Sequence, residues 1–388
     1  MNVTFVIPYF YPAWHYGGQP RSAYELARAL VSRGHRVKVL TTDSAGDTRL
    51  PSGHRDIDGV QVIYYRNISN WLAFRQRLFW PPSMFRDLRR ELAGSDVLHI
   101  HELRSTLSVP AYRAASRLKM PYVLSTHGGL RHLGKASLKA MFDALWGKNI
   151  LRRAAAVIAI SPVEELDARS MDVEQERIRR LPNMISVSDY EPLPQKGLFR
   201  ARWQLGSSKT ILFLGRLHWI KGADLLIRAF ERLYASDRDT RLVIAGPDDG
   251  AESSLRDLAA RAGLNSAVVF TGFLDHQQKV QALVDANLVV VPSRSEVFAI
   301  TAIEALMCGC PVLLSTACGL HPMPQPEQGA VQFKTEDIDD LAGALSAAVA
   351  NASLGVAAQA GREFVKSEFS SDKVGACAES IYQSVVRS

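Results

Sequence analysis

Short apolar runs recur along the first half of the chain: Asn2–Pro8, Arg36–Thr41, Val60–Tyr65, Val97–Ile100, Tyr122–Ser125 and Ala156–Ile160. None alternates apolar with polar residues, which is how strands buried on both faces read. After the first run comes Ser22–Ser32, with apolar residues at Ala23, Leu26, Ala27, Leu30 and Val31, the spacing of a helix with one buried face. Alternating strand and helix predicts a parallel sheet covered on both sides. The pattern breaks at residues 186–207, where Pro192, Pro194, Gly197 and Gly206 give a linker-like composition. It resumes with Thr210–Leu214, Arg241–Ala245, Val268–Phe270, Leu288–Val291 and Val312–Leu314, and the rest of the chain is helical by periodicity.

A chain of 388 residues is too long for one compact core and suits two α/β domains. The expected division is 1–190, 191–370 and a helical segment 371–388. Two open sheets of this kind are expected to bind ligands in a cleft at the carboxyl ends of their strands. No apolar run is long enough to span a bilayer. The opening MNVTFVIPYFYP reads as a strand rather than a secretory leader, having no basic n-region.

Charge changes this picture. Residues 1–190 carry 27 Lys and Arg against 17 Asp and Glu, leaving 19 against 22 for residues 191–388. A basic first half is expected to meet something anionic. Within it, Arg66–Leu92 interleaves arginines with Trp71, Phe74, Phe79, Trp80 and Phe85, a pattern suited to contact with an anionic membrane. Pro81-Pro82 divides it into two short pieces. No recognised nucleic-acid motif accompanies the charge, so no nucleic-acid partner is expected. Cys308, Cys310, Cys318 and Cys377 frame no zinc site and read as small buried residues of a reducing cytoplasm.

Four stretches carry chemistry. Gly17 and Gly18, between first strand and first helix, allow close backbone approach to a ligand at a helix start. Their spacing is not the GxGxxG of a nicotinamide or flavin site. Gly215-Arg216 ends a strand, and Lys221 follows five residues later. Two cations there suit a diphosphate and would neutralise charge on a leaving phosphate. Glu296 precedes a helix bearing Glu304 among apolar residues. A buried carboxylate needs a bonding partner, and a ribose diol is one. The backbone N–H groups of Val297, Phe298 and Ala299 could hold phosphate. His127, in Ser125-Thr126-His127-Gly128-Gly129, ends a strand at the expected ligand edge. Asp56-Ile57-Asp58 spells a DxD metal motif but sits in a polar stretch that reads as a turn, so no metal is expected.

On these motifs the chain resembles the GT4 family of retaining glycosyltransferases. The resemblance rests on Gly17-Gly18, His127, Leu181-Pro182-Asn183, the GRLxxxKG of Gly215–Gly222 and the E-x7-E pair Glu296/Glu304. It implies a GT-B fold: two Rossmann-like domains facing across a cleft, with a C-terminal helix crossing back to the first. It also implies Arg216 and Lys221 on the diphosphate, Glu304 on ribose, Glu296 and His127 on the donor sugar, and Gly272 and Phe273 by the nucleobase. The catalytic group would comprise His127, Glu296, Arg216 and Lys221. Two departures stand out. Glu296-Val297-Phe298-Ala299 replaces the family's frequent Glu-Gly-Phe-Gly, and Met184 follows Pro182-Asn183 where glycine is frequent.

The expected activity is metal-independent transfer of a hexose from a UDP- or GDP-sugar to a saccharide or lipid-linked acceptor, in polysaccharide or glycoconjugate biosynthesis. Alternatives are a sugar-nucleotide epimerase of the same fold and a non-catalytic nucleotide-sugar binding protein. The expected location is cytoplasmic, peripheral at the inner face of the plasma membrane.

Overall fold

The computed structural model describes residues 1–46, 48–130 and 136–387. It divides into two compact units. One comprises Met1–Met184 with the segment from Ser371, the other Ile185–Ser370.

The strands of the first unit are β1 (Asn2–Val6), β2 (Arg36–Thr42), β3 (Ser44–Ala45), β4 (Thr48–Arg49), β5 (Gly53–Ile57), β6 (Val60–Tyr65), β7 (Val97–His101), β8 (Tyr122–Ser125), β9 (Ala156–Ala159) and β10 (Ile178–Arg180). Its helices are α1 (Gly18–Ser32), α2 (Asn70–Gln76), α3 (Pro82–Leu92), α4 (Ser108–Leu118), α5 (Ala136–Phe142), α6 (Lys148–Arg153) and α7 (Pro162–Ser170). Among the described residues the main sheet has eight strands in the order β10-β9-β8-β7-β1-β2-β6-β5. Every pairing in it is parallel except β5 with β6. Asp56, Ile57 and Asp58 lie where β5 turns into β6, and the Gly59 N–H donates to Asp56 Oδ1 at 2.9 Å. They therefore sit in a hairpin.

The absence of alternation in the strands has a direct cause. Val3, Phe5, Val37, Val39, Val62 and Val97 point to one buried face, and Leu40, Ile63, Leu98, Ile100 and Leu124 to the other. The first face is covered by α1 and by the C-terminal helix Ser371–Arg387 through Val374, Ala378, Ile381, Tyr382 and Val385. The other is covered by α3, α4 and α6. Cys377 departs from expectation: it is exposed, on the outer face of this last helix, while Cys308, Cys310 and Cys318 are buried and all four are free thiols.

The second unit begins with α8 (Leu198–Arg202), then β11 (Lys209–Leu214), α9 (Ala223–Ser236), β12 (Thr240–Ala245), α10 (Glu252–Arg261), β13 (Val268–Gly272), α11 (His276–Asp285), β14 (Leu288–Val291), α12 (Ile300–Met307), β15 (Val312–Ser315), β16 (Ala330–Phe333), α13 (Ile338–Ala350) and α14 (Ala352–Phe369); α15 is the helix Ser371–Arg387. Its sheet is wholly parallel, in the order β13-β12-β11-β14-β15-β16.

The expected linker at 186–207 and boundary at 190 are corrected here. Tyr190 is fully buried in the second unit, and Asp285 accepts the backbone N–H groups of Gly197, Phe199 and Arg200 at 2.6, 2.8 and 3.1 Å. One buried carboxylate thus pins a proline- and glycine-rich stretch as α8.

Candidate active site

Each sheet reverses direction once. In the second unit the chain winds from β11 outward through β12 to β13, then returns to start β14 on the other side of β11. In open α/β sheets the crevice at such a switch point binds ligands, outside the strands' carboxyl ends. Arg216 and Lys221 follow β11 and Glu296 follows β14, so the topology brings both sequence motifs to one place.

They meet there. Lys221 Nζ is paired with Glu296 Oε2, and both side chains are largely shielded from solvent. Arg216, half exposed, pairs with Asp249 in the loop between β12 and α10. The two cations are therefore not free. Each already holds a carboxylate that a phosphate would have to displace. Gly222 closes the loop after Lys221 at φ 70, with Pro292 directly above it. Gly215 lies at the carboxyl end of β11.

Glu296 is held by its own backbone. Its N–H donates to Ala317 O at 3.3 Å and its carbonyl accepts from Gly319 N at 2.8 Å. Beyond it, the backbone N–H groups of Val297, Phe298 and Ala299 find no acceptor among the described residues. The side chains of Phe298 and Ala299 are buried, Phe298 against Phe369, so only the backbone of these two residues can meet a ligand. Glu304, on α12, is buried, but its charge is met within the protein. Lys279 lies 2.5 Å away and Tyr190 donates its hydroxyl at 2.9 Å. The burial argument for a ribose partner is thus weakened, since two protein groups already stabilise the carboxylate. Gly272 ends β13, and Phe273 after it is 64% exposed.

In the first unit the reversal lies between β1 and β7. Gly17, at φ 93, ends a short turn of helix, and Gly18 opens α1. A Cβ at either would meet nothing within 4 Å, so the space above this helix start is open. Tyr9, just after β1, donates to Gln19 Oε1 at 2.6 Å and stacks on Tyr16 with centroids 4.0 Å apart, with Arg77 over both rings. Glu102 directly follows β7 beside Tyr9, and burial pushes its carboxyl up against the opposing pull of Arg77.

His127 stands at φ 46, a conformation that non-glycine residues rarely adopt. Glu164, buried, fixes it there. One carboxylate oxygen accepts from Thr126 Oγ1 and, at 2.5 Å, from the Gly128 N–H, while the other accepts from Ile160 N at 2.8 Å. His127 Nε2 is bonded to His101 Nδ1 at 2.9 Å, and burial lowers its pKa from 6.5 to about 4. It stands neutral at pH 7.

Sequence reasoning missed Lys279, Tyr190, Asp249, Glu102 and Glu164. The first three are partners reached only across the fold. Glu102 had a signal, its place at the end of a buried strand. Among the described residues no group of three His, Cys, Asp or Glu is placed to hold a metal ion.

Two Rossmann-like units are present, with charged groups gathered at the switch point of the second, and the comparisons with known proteins give the class. Residues 17–184 match the model of the glycosyl transferase 4-like domain and residues 196–362 that of glycosyl transferases group 1. A D-inositol 3-phosphate glycosyltransferase of Acidothermus cellulolyticus is 30% identical over 357 residues, spanning 85% of this chain and 77% of the relative. Sucrose-phosphate synthase from Thermosynechococcus elongatus superposes with TM-score 0.82 at 22% identity, covering 100% of this chain and 99% of that one. The Anabaena protein Alr3699/HepE, solved in complex with UDP and glucose, gives 0.77 at 17% identity, with 99% and 100% covered. The chain belongs to the group 1 glycosyl transferase family, and its fold is GT-B.

Proposed function

We propose that this glycosyltransferase moves a hexose from a UDP- or GDP-sugar to a hydroxyl of a saccharide or lipid-linked acceptor, without a metal and with retention of anomeric configuration. The observation that carries the reading is the pairing of Lys221 with Glu296 beside three backbone N–H groups that lack acceptors. A diphosphate entering there would take Lys221 from Glu296 and occupy those N–H groups, with Arg216 leaving Asp249 for the other side. Glu296, released, would accept sugar hydroxyls. Gly17 and Gly18 would lie toward the phosphate and acceptor, Gly272 and Phe273 toward the base, and Glu304 toward ribose. That a relative of the same fold was solved with UDP and glucose favours a uridine donor.

In the reaction the bond from the anomeric carbon to the phosphate oxygen breaks as the acceptor oxygen bonds to that carbon on the same face. The acceptor's proton passes to the leaving phosphate, whose charge Lys221 and Arg216 stabilise. A glycosyl-enzyme adduct found by mass spectrometry would contradict this route. We also propose a cytoplasmic enzyme in peripheral contact with anionic membrane through Arg66–Leu92, in polysaccharide or glycoconjugate biosynthesis.

The test is a thermal-shift panel with UDP, GDP, ADP and their hexose conjugates, chelator present. One nucleotide series is expected to raise the melting temperature. The Glu304→Gln variant, which keeps the side chain's volume, is expected to lose most of that shift. No shift with any compound would sink the donor-site reading. Conversion of donor without any acceptor would point instead to epimerisation.

A further inference from the structure

On the face of the first unit covered by α3 and α4, a cavity of about 610 Å³ opens between those helices and the helical turn after α5. That volume is in the range of small-molecule sites. Its lining has two characters. Arg86 and Arg89 come from α3, Arg113 and Arg117 from α4. None of these four guanidiniums has a carboxylate or other hydrogen-bond partner among the described residues. A fifth, Arg104, differs: it is locked to Asp143 at 2.5 Å and serves as wall.

The remaining surface is apolar, formed chiefly by Trp80, Phe85, Val109, Phe142 and Trp146. Trp80 and Trp146, which line it, are partly open to solvent, and Met141 and Leu145, close to Trp146 in the chain, are exposed as well.

Gathering four unpaired cations around one cavity costs energy, since like charges on neighbouring helical turns repel. An anion offsets that cost, and guanidiniums favour phosphate because two N–H groups bond it at once. The apolar wall calls for hydrocarbon. Inorganic phosphate would satisfy only the arginines, and an alkane only the wall. The loop Arg104–Thr106, which lines the cavity, continues directly from Glu102 at the switch point of this unit. The lining thus includes the loop that follows β7, at the sheet edge where open α/β sheets bind ligands.

We propose that this cavity seats a single-chain lipid phosphate or diphosphate, the carrier end of a lipid-linked sugar acceptor. The head lies among Arg86, Arg89, Arg113 and Arg117, and the first part of the chain lies against Trp80, Phe142 and Trp146. This rests on the glycosyltransferase reading and narrows its acceptor.

Trp80 and Trp146 supply the readout. The whole protein is titrated below the micelle concentration with farnesyl diphosphate, with inorganic pyrophosphate and with dioctanoyl phosphatidylglycerol, following tryptophan emission. Farnesyl diphosphate is expected to give a saturable change and to bind at least about tenfold more tightly than either other probe. The double variant Arg113→Ala, Arg117→Ala, altered only on the outer face of α4, is expected to weaken it by about tenfold or more. Its thermal shift with nucleotide sugars should remain. Equal binding of pyrophosphate would overturn the apolar half of the proposal. Equal binding of phosphatidylglycerol would assign the cavity to bilayer lipid instead. Unchanged affinity in the variant would place the ligand elsewhere. A wild-type protein with no nucleotide-sugar shift would fail the glycosyltransferase reading, separately from any of these.

Discussion

Gly222 shows how closely one residue can be dictated. Its φ of 70 is already costly for any residue with a Cβ, and a Cβ there would overlap the carbonyl oxygen of Pro292. Gly222→Ala is expected to destabilise the second unit by roughly 2–5 kcal/mol, strain and overlap combined. Urea denaturation would measure it, and a loss below about 1 kcal/mol would show that the loop simply moves. The histidines make a second residue-scale case. Burial lowers His99 to about 3, His127 to about 4 and His101 well below 6.5. Between about pH 4 and pH 6.5 the unfolded chain therefore binds more protons than the folded one, so stability rises with pH across that window. Below pH 6.5 each histidine withdraws up to about 1.4 kcal/mol per pH unit. The urea midpoint should fall from pH 7 to pH 5, less steeply in His127→Asn, whose side chain tolerates the same backbone conformation. A midpoint flat across this range would contradict the buried, neutral histidines.

At the scale of elements, α2 and α3 carry the proposed membrane contact. Ile68, Trp71, Leu78 and Trp80 are exposed, Trp71 at 60%, whereas Phe79 is buried and Phe74 and Phe85 pack on the core. The arginine and aromatic pattern of Arg66–Leu92 thus divides into outward and inward halves that its spacing did not distinguish. Cosedimentation with anionic vesicles at low salt is expected, and Trp71→Ser with Leu78→Ser should reduce it several-fold. No pelleting at low salt, where attraction is least screened, would remove the proposal. Elements buried on two faces were readable in advance, because β1, β2, β7, β11 and β14 are apolar whatever they pack against. β10 and β16 were not: Ile178-Arg179-Arg180, mostly polar, and the short Ala330-Val331-Gln332-Phe333 are edge strands, defined by the neighbour they pair with. α8 escaped for a related reason, since its cap, Asp285, lies far along the chain. The site divides the same way. Lys221 and Glu296 stand in local motifs, but their pairing and the partners of Glu304 exist only once β11, α11 and α12 are neighbours.

For the whole molecule, α15 belongs to the first unit although it follows the second in sequence. It lays Val374, Ala378, Ile381, Tyr382 and Val385 against the core, and the Tyr382 hydroxyl bonds His99 Nδ1 at 2.7 Å. Each large apolar side chain there contributes about 1.5–3 kcal/mol, so the helix as a whole rivals the net stability of a domain, about 5–15 kcal/mol. A chain ending at Ser370 is expected to lose the first unit and keep the second. Limited proteolysis should leave a resistant fragment near residues 185–370, and an equally resistant first unit would show that α15 is dispensable. The second unit is entered and left at one point, where the Ile185 N–H donates to Phe369 O at 2.8 Å and Ile185 bridges Ser370. It is therefore an insertion within the first. A ribosome completes the insertion while the unit around it still lacks its last helix. Until Ser371 and the residues after it emerge, the part of the sheet face that α15 shares with α1 stays bare, so the first unit closes its core only after the second has been made.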